Sequence, residues 1–281
     1  MQMGRQQQYA TNKLPNLQRI QDAKYLPPNE YQFDVRWATS EEEVREAQAL
    51  RYRVFATEMG ASLTPSCVAS GLDIDRFDPF CDHLLVRAIG LSRSELGPLV
   101  GTYRVLSPSA ARHAGGFYTD TEFDLKPIAS LRSNAIELGR SCVDPTWRSG
   151  AVIMALWSAL ARYMLLHEVD TMIGCASVGL DRGMQHAADV WHRLRHAYLV
   201  APQWQIRPRI PLPLCENVLS PHLSNSNAFA ETPPLIKGYL RCGARLLGAP
   251  ALDAAFNTAD LPIMLRVDDL APRYRKHFLG D

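Results

Sequence analysis

The segment that most constrains this chain runs from residue 135 to residue 178. It reads AIELGRSCV, then a turn, then GAVIMALWSALARYMLL, then TMIGCASV. The outer pieces are short apolar runs of strand length, and the middle piece is a long apolar helix. Two strands joined through a helix at this spacing lie parallel, with a right-handed crossover. Parallel strands need cover on both faces. The unit therefore demands a layered α/β domain. Its first strand also carries Glu137 and Arg140, two charges three residues apart in a segment that otherwise reads as core. Buried charges are costly unless paired, so each needs a partner or a task.

The flanking sequence supplies the other layers. A strand is expected over residues 33–37. A helix starts after the cap Ser40, with three glutamates in its first turn, and stops at Gly60. Residues 61–72 read as a loop. An acidic turn, DIDRFDPFCD, leads into a strand at 83–89, and a hairpin through 92–98 joins it to a strand at 99–106. Residues 111–131 hold a loop and a short helix. Beyond the central unit come a helix at 183–194, a proline-interrupted strand at 199–210, a Pro/Ser/Asn-rich loop at 211–232, a helix at 233–247 and a short strand at 260–265. This order predicts a mixed central sheet flanked by helices. We expect one α/β domain over residues 31–281 with a C-terminal extension, preceded by a flexible arm over 1–30 that Pro27-Pro28 closes.

A formal charge of +1 over 281 residues removes the strongest argument for a nucleic-acid partner. The six cysteines are scattered, without a C-x-x-C pair, and read as reduced thiols of a cytoplasmic protein. The polar N-terminus has no apolar core of a signal peptide. The most apolar stretch, residues 151–166, is shorter than the roughly 20 residues needed to span a bilayer. A peripheral contact with the inner membrane is left open.

The strand–turn–helix–strand unit resembles the central motif of the GCN5-related N-acyltransferase fold. RYRVFATEMGA, DIDRFDPFCDHLLV, VGTYRVL, ELGRSCVDPTWRSGAVIMALWSALARYM and the ending PPLIKGYLRCGARLLGAPALDAAFNTADLPIMLRVDDLAPRYRKHFLG together resemble the ornithine lipid acyltransferases. The resemblance covers residues 35–280. It implies transfer of a 3-hydroxyacyl chain from acyl carrier protein to the α-amino group of ornithine, giving lyso-ornithine lipid. The first half also resembles the acyl-homoserine lactone synthases, through Arg51/Phe55, Asp75/Asp78, Arg104 and Glu137/Arg140. N-acylation of glycine, glutamine or lysine is a further alternative.

Only a neutral amine attacks a thioester, and a free α-amine has a pKa near 8 or above. A positioned base contributes about 10²–10⁴-fold. From spacing alone, Glu137 reads equally as that base or as a structural carboxylate paired with an arginine; the resemblance favours the base, acting directly or through water. Arg140 would face away from Glu137 in a regular strand. A bulge at Gly139 would bring both to one side, where Arg140 could hold Glu137 or the acceptor's carboxylate. Asp75, Asp78 and Arg104 read as a charged network beside the site, with one carboxylate available to an ornithine ammonium. The same DIDRFD lacks the glycine and closing glutamate of a calcium loop.

Arg148, Ser149, Gly150 and Ala151 open the apolar helix, where free amides and an arginine suit a phosphate. The fold's coenzyme A signature, Q/R-x-x-G-x-G/A, is poorly met, because Trp147 and Val152 take its first and last positions. This favours the 4′-phosphopantetheine arm of a carrier protein as donor, with no cofactor bound. No acid falls between Asp189 and Glu216, a stretch holding Arg193, Arg195, Arg207 and Arg209. It reads as a docking surface for an acidic carrier protein, or nearly equally as a solvated basic face or a contact for anionic lipid headgroups. His192 and His196 lack the H-E-x-x-H pattern, so no metal site is expected.

Overall fold

The computed structural model describes residues 32–89, 96–213 and 231–279. The expected arm over 1–30, most of the hairpin turn after residue 89, Cys215 and most of the loop over 211–232 lie outside the described residues. In chain order the elements begin with β1 (Gln32–Trp37), α1 (Glu41–Tyr52) with a π-helical continuation (Arg53–Glu58), α2 (Pro65–Ser70), β2 (Asp82–Ile89) and β3 (Leu96–Leu106). Next come α3 (Pro108–His113), α4 (Thr119–Glu122), β4 (Phe123–Asp124), β5 (Ala135–Val143), α5 (Ala151–Leu166) and β6 (Thr171–Gly179). The C-terminal part holds α6 (Met184–Tyr198), β7 (Arg207–Pro208), α7 (Pro234–Cys242), β8 (Arg245–Leu246), β9 (Ala251–Asp253), β10 (Thr258–Arg266) and α8 (Pro272–Leu279).

The main sheet runs β1-β2-β3-β5-β6-β10-β8, with β9 also on β10. Among the described pairs only β5–β6 is parallel, as the β5–α5–β6 crossover requires. That pairing covers just Ala135↔Thr171, Ile136↔Met172 and Glu137↔Ile173, although both strands run on. Beyond it β6 stays with β10 along its whole length, and β5 stays with β3. The sheet therefore splits into a cleft just past Glu137.

A bulge in β5 sits beside the split. Thr102 faces Cys142 and Arg104 faces Gly139, so Arg140 and Ser141 together oppose Tyr103. A bulge bends its strand and sharpens the twist, which turns β5 away from β6. The expected bulge is present, but the left-handed backbone falls on Arg140 itself (φ 53°) rather than on Gly139. The strands remain in contact at Gly174, where a Cβ would lie 2.4 Å from the carbonyl oxygen of Leu138; only glycine fits.

Apolar faces hold the layers together. Val152, Leu156, Leu160 and Met164 of α5 bury one stripe against Leu84, Val86, Val100 and Ile136 of the sheet. Each fully buried aliphatic side chain contributes about 1.5–3 kcal/mol. On the other half, Ala187, Val190, Trp191 and Leu194 of α6 pack with Ile236 and Leu240 of α7 onto β6 and β10. Ser40 starts α1 by accepting from the Glu43 amide at 3.3 Å, and Glu43 accepts from the Thr39 amide at 2.8 Å, a variant of the capping box.

Three local expectations are corrected. Residues 61–72 contain α2, capped by Thr64, opened by Pro65 and closed by Gly71 in the left-handed region. Residues 199–210 form no continuous strand: prolines limit pairing to an isolated bridge at Leu199 and to β7 on β4. The short strand expected at 260–265 is the nine-residue β10, buried beside β6. Pro262 is tolerated there because its carbonyl accepts from Leu247. Its missing N–H faces that same side, away from β6.

Candidate active site

The cleft between β5 and β6 opens into a cavity of about 660 Å³. Glu137, Arg140 and Ser141 reach its wall from β5, Arg104 from β3, Cys175 from β6 and Asp260 from β10. The split thus brings the two charges of the β5 strand onto one surface, as a bulge was expected to do.

Glu137 is 4% exposed. Its Oε2 accepts from the Tyr118 amide at 2.5 Å. Its Oε1 accepts from the Thr119 amide at 2.6 Å and from the Thr119 hydroxyl at 2.5 Å. The carboxylate therefore caps α4 and is held rigidly. Burial pushes its pKa up, against the opposing pull of these three donors and of Arg104. Three bonds leave part of its accepting capacity for the cavity. Glu137 and Arg140 do not pair with each other.

Arg140 belongs instead to a chain of six alternating charges. Arg51, 1% exposed, donates its Nε to Asp73 at 2.8 Å, its Nη1 and Nη2 to Asp78 at 3.0 and 2.9 Å, and Nη2 also to the Asp73 carbonyl. Arg104 Nη1 reaches Asp75 at 2.7 Å and Asp78 at 3.1 Å. Arg140 lies 3.3 Å from Asp73 through Nε and 3.2 Å from Asp75 through Nη2. Burial alone would raise Asp78, yet the Arg51 and Arg104 guanidinium groups hold it well below the usual carboxylate range. Asp75 and Asp78 thus sit behind the cavity wall and anchor arginines, while Arg104 and Arg140 form the wall itself. Arg140 stacks over Tyr118 and Phe256 at 5.2 and 4.7 Å. Its Nη1 donates to no partner among the described residues.

At the mouth, α5 begins at Gly150 with φ 95°, and no side chain among the described residues caps it. Its first intrahelical bond runs from the Met154 amide to the Gly150 carbonyl, so the Ala151, Val152 and Ile153 amides lack intrahelical acceptors. Arg148 and Gly150 line the cavity; Ser149 is exposed and Ala151 is half-buried. Arg148 is already clamped: its Nη1 and Nη2 bond the two oxygens of Glu58 at 2.6 and 2.8 Å. Of the four arginines read as a docking surface, Arg195, Arg207 and Arg209 are exposed, whereas Arg193 lies 3.6 Å from Glu231.

Several groups escaped the sequence reading. Asp260 is 4% exposed and accepts from the Thr258 hydroxyl at 2.8 Å. Glu122, at the end of α4, joins Asp260 and Cys175 in a cluster whose ligating atoms lie within 4.8 Å of one another. Tyr103 and Tyr239 share a 2.5 Å hydroxyl contact at the edge of a second, smaller apolar cavity. That cavity shares Leu138, Trp157, Cys175 and Ala176 with the main one. Burial raises the thiol of Cys175 well above its ordinary value, helped by Glu122 and Asp260, and pushes Cys81 and Cys142 up to about 12. Such thiols stay protonated and make poor nucleophiles, which suits direct transfer.

An acetyltransferase (GNAT) domain matches residues 50–158, from α1 through β5 into α5. The L-ornithine N(alpha)-acyltransferase of Rhizobium meliloti (strain 1021) is 36% identical over 252 residues, covering 89% of this chain and 85% of that protein. The L-ornithine N(alpha)-acyltransferase of Brucella abortus (strain 2308) is 37% identical over 250 residues, covering 88% of each. The chain belongs to the L-ornithine N(alpha)-acyltransferase family. It is an N-acyltransferase. Among solved structures, FeeM, an N-acyl amino acid synthase from uncultured soil microbes, matches with a TM-score of 0.50 at 13% identity, covering 85% of this chain and 93% of that one. The fold is therefore the GNAT fold. In this member of the L-ornithine N(alpha)-acyltransferase family, Arg104, Glu137, Arg140 and the start of α5 fall inside the GNAT match, and Cys175 and Asp260 fall beyond it.

Proposed function

We propose that the protein transfers a 3-hydroxyacyl chain from acyl carrier protein to the α-amino group of ornithine, giving lyso-ornithine lipid and free carrier protein. The observation that carries this reading is the composition of one cleft. A buried carboxylate and an arginine share its wall, uncapped helix amides stand at its mouth, and an apolar cavity adjoins it. These suit, in turn, an amino acid, a phosphodiester and an acyl chain. Arg140 holds the acceptor's carboxylate. Glu137 takes a proton from the α-ammonium, directly or through water. The neutral nitrogen attacks the thioester carbonyl carbon, the carbon–sulfur bond breaks, and the thiol leaves with a proton as the amide forms. Lysine, glutamine or glycine in place of ornithine would use the same α-amine chemistry.

A phosphopantetheine arm with one phosphodiester asks less of the mouth than a coenzyme A diphosphate. That agrees with Trp147 and Val152 standing in the glycine-loop positions and with Arg148 already committed to Glu58. The exposed Arg195, Arg207 and Arg209 offer positive charge to an acidic carrier protein. The test uses purified protein with a 3-hydroxyacyl thioester on carrier protein or on coenzyme A. Ornithine, lysine, glutamine, glycine or S-adenosylmethionine serves as acceptor, and products are read by mass. N-acylornithine from the carrier-protein thioester is expected; an acyl-homoserine lactone, or turnover from coenzyme A alone, would overturn the reading.

A further inference from the structure

We propose that Asp260, backed by Glu122, forms the subsite that receives the side-chain ammonium of the acceptor and so selects a cationic amino acid; this rests on the ornithine reading above. Charge matching around the cleft leads there. Asp73, Asp75 and Asp78 are balanced by three arginines, and Glu58 by Arg148. Glu137 is held by three donors. Asp253, also on the wall, accepts from the Ala255 and Phe256 amides of its own turn. Asp260 and Glu122 are different: neither forms an ion pair among the described residues. Both oxygens of Glu122 are closed to solvent, and among the described residues only the Tyr118 hydroxyl and the Cys175 thiol stand beside them, with no cation. Asp260 is on the cavity wall, and Glu122, within 4.8 Å of it, is not among the lining residues.

Two buried carboxylates so close repel each other and resist ionisation, and burial together with mutual charge pushes both upward. A cation between them and the cavity removes that repulsion. An ammonium suits the place well: it is compact and brings three donors and a positive charge to a carboxylate pair that has no cation among the described residues. Arg140, whose Nη1 donates to no partner among the described residues, lies on the same cavity wall. A molecule with a carboxylate at one end and an ammonium at the other complements this pairing. A divalent metal ion is the rival occupant, because Glu122, Cys175 and Asp260 offer three ligand atoms, and the experiment below tests for it.

The experiment compares kcat/KM for ornithine and for norleucine, which replaces the ammonium by a methyl group at equal length, in the wild type, Asp260→Asn and Glu122→Gln. The wild type should prefer ornithine by about tenfold or more, the scale of a charged hydrogen bond. Each variant should lose that preference, mainly through the KM for ornithine. A wild type that takes norleucine as well as ornithine overturns the subsite, whether or not the variants fold. So does a folded variant, checked by circular dichroism, that keeps the full preference. Activity that is lost on chelation and restored by a divalent metal overturns it in favour of a metal site. Wild-type protein that acylates neither amino acid refutes the ornithine reading instead.

Discussion

Replacing Arg51 by methionine should cost more stability than almost any other single change. Arg51 sits at 1% exposure, and its guanidinium bonds two carboxylates and one carbonyl. With it, three arginines balance Asp73, Asp75 and Asp78. Without it, a net negative charge is left inside the protein, with only Arg104 and Arg140 to share among three acids. Breaking a buried pair in this way costs about 3–5 kcal/mol, against a total stability of about 5–15 kcal/mol. Asp78 sets the pH dependence. Its folded-state pKa is depressed, so its contribution is present above the unfolded value of about 3.9 and fades as pH falls towards the folded one. The deficit of the variant should therefore stay close to full from pH 7 down to about pH 4 and shrink only as the pH falls below the unfolded value. Urea denaturation followed by circular dichroism measures it, and Arg51→Met/Asp78→Asn, which restores neutrality, should recover part of the loss. A single variant within about 1 kcal/mol of wild type at pH 7, or a double variant no better than the single, would refute the reasoning.

Gly174→Ala should lower stability by about 1–3 kcal/mol, because the new Cβ meets the Leu138 carbonyl oxygen at 2.4 Å where β5 and β6 part; an unchanged melting temperature would show that the strands separate freely there. Glu122→Gln should gain stability relative to wild type as pH rises. The raised folded pKa means that the wild-type contribution is full below about pH 4 and is lost as the pH climbs through the folded value. Melting curves from pH 4 to pH 9 check this, and a constant difference across the series would contradict it.

What could be read from the sequence depended on contrast with the surroundings. The β5–α5–β6 unit stood out through its apolar runs, and Glu137 and Arg140 stood out as charges within one of them. The same signal marks Asp260, a lone carboxylate in the apolar TADLPIML of β10, but a strand expected to be short hid it. Glu122 lies in the polar TDTEFDL, where one more acid carries no contrast; only the fold brings it beside Asp260. The alternation of Arg51, Asp73, Asp78, Arg104, Asp75 and Arg140 joins residues up to 67 positions apart, Asp73 with Arg140, beyond any local pattern. The bulge was suggested by Gly139, yet Arg140 takes the left-handed backbone. Such a residue costs roughly 1–2 kcal/mol, and its two aspartate partners offset that cost. α2 is only six residues long, too short for periodicity, and its caps were its only trace.

The most direct test of the account is the lipid profile, by mass spectrometry, of cells expressing the wild type or Glu137→Gln at matched protein levels. The wild type should produce 3-hydroxyacyl-ornithine. Glu137→Gln should reduce it by at least about tenfold, consistent with loss of a base. Undiminished product from Glu137→Gln, or a wild-type product whose head group is not ornithine, would contradict the account.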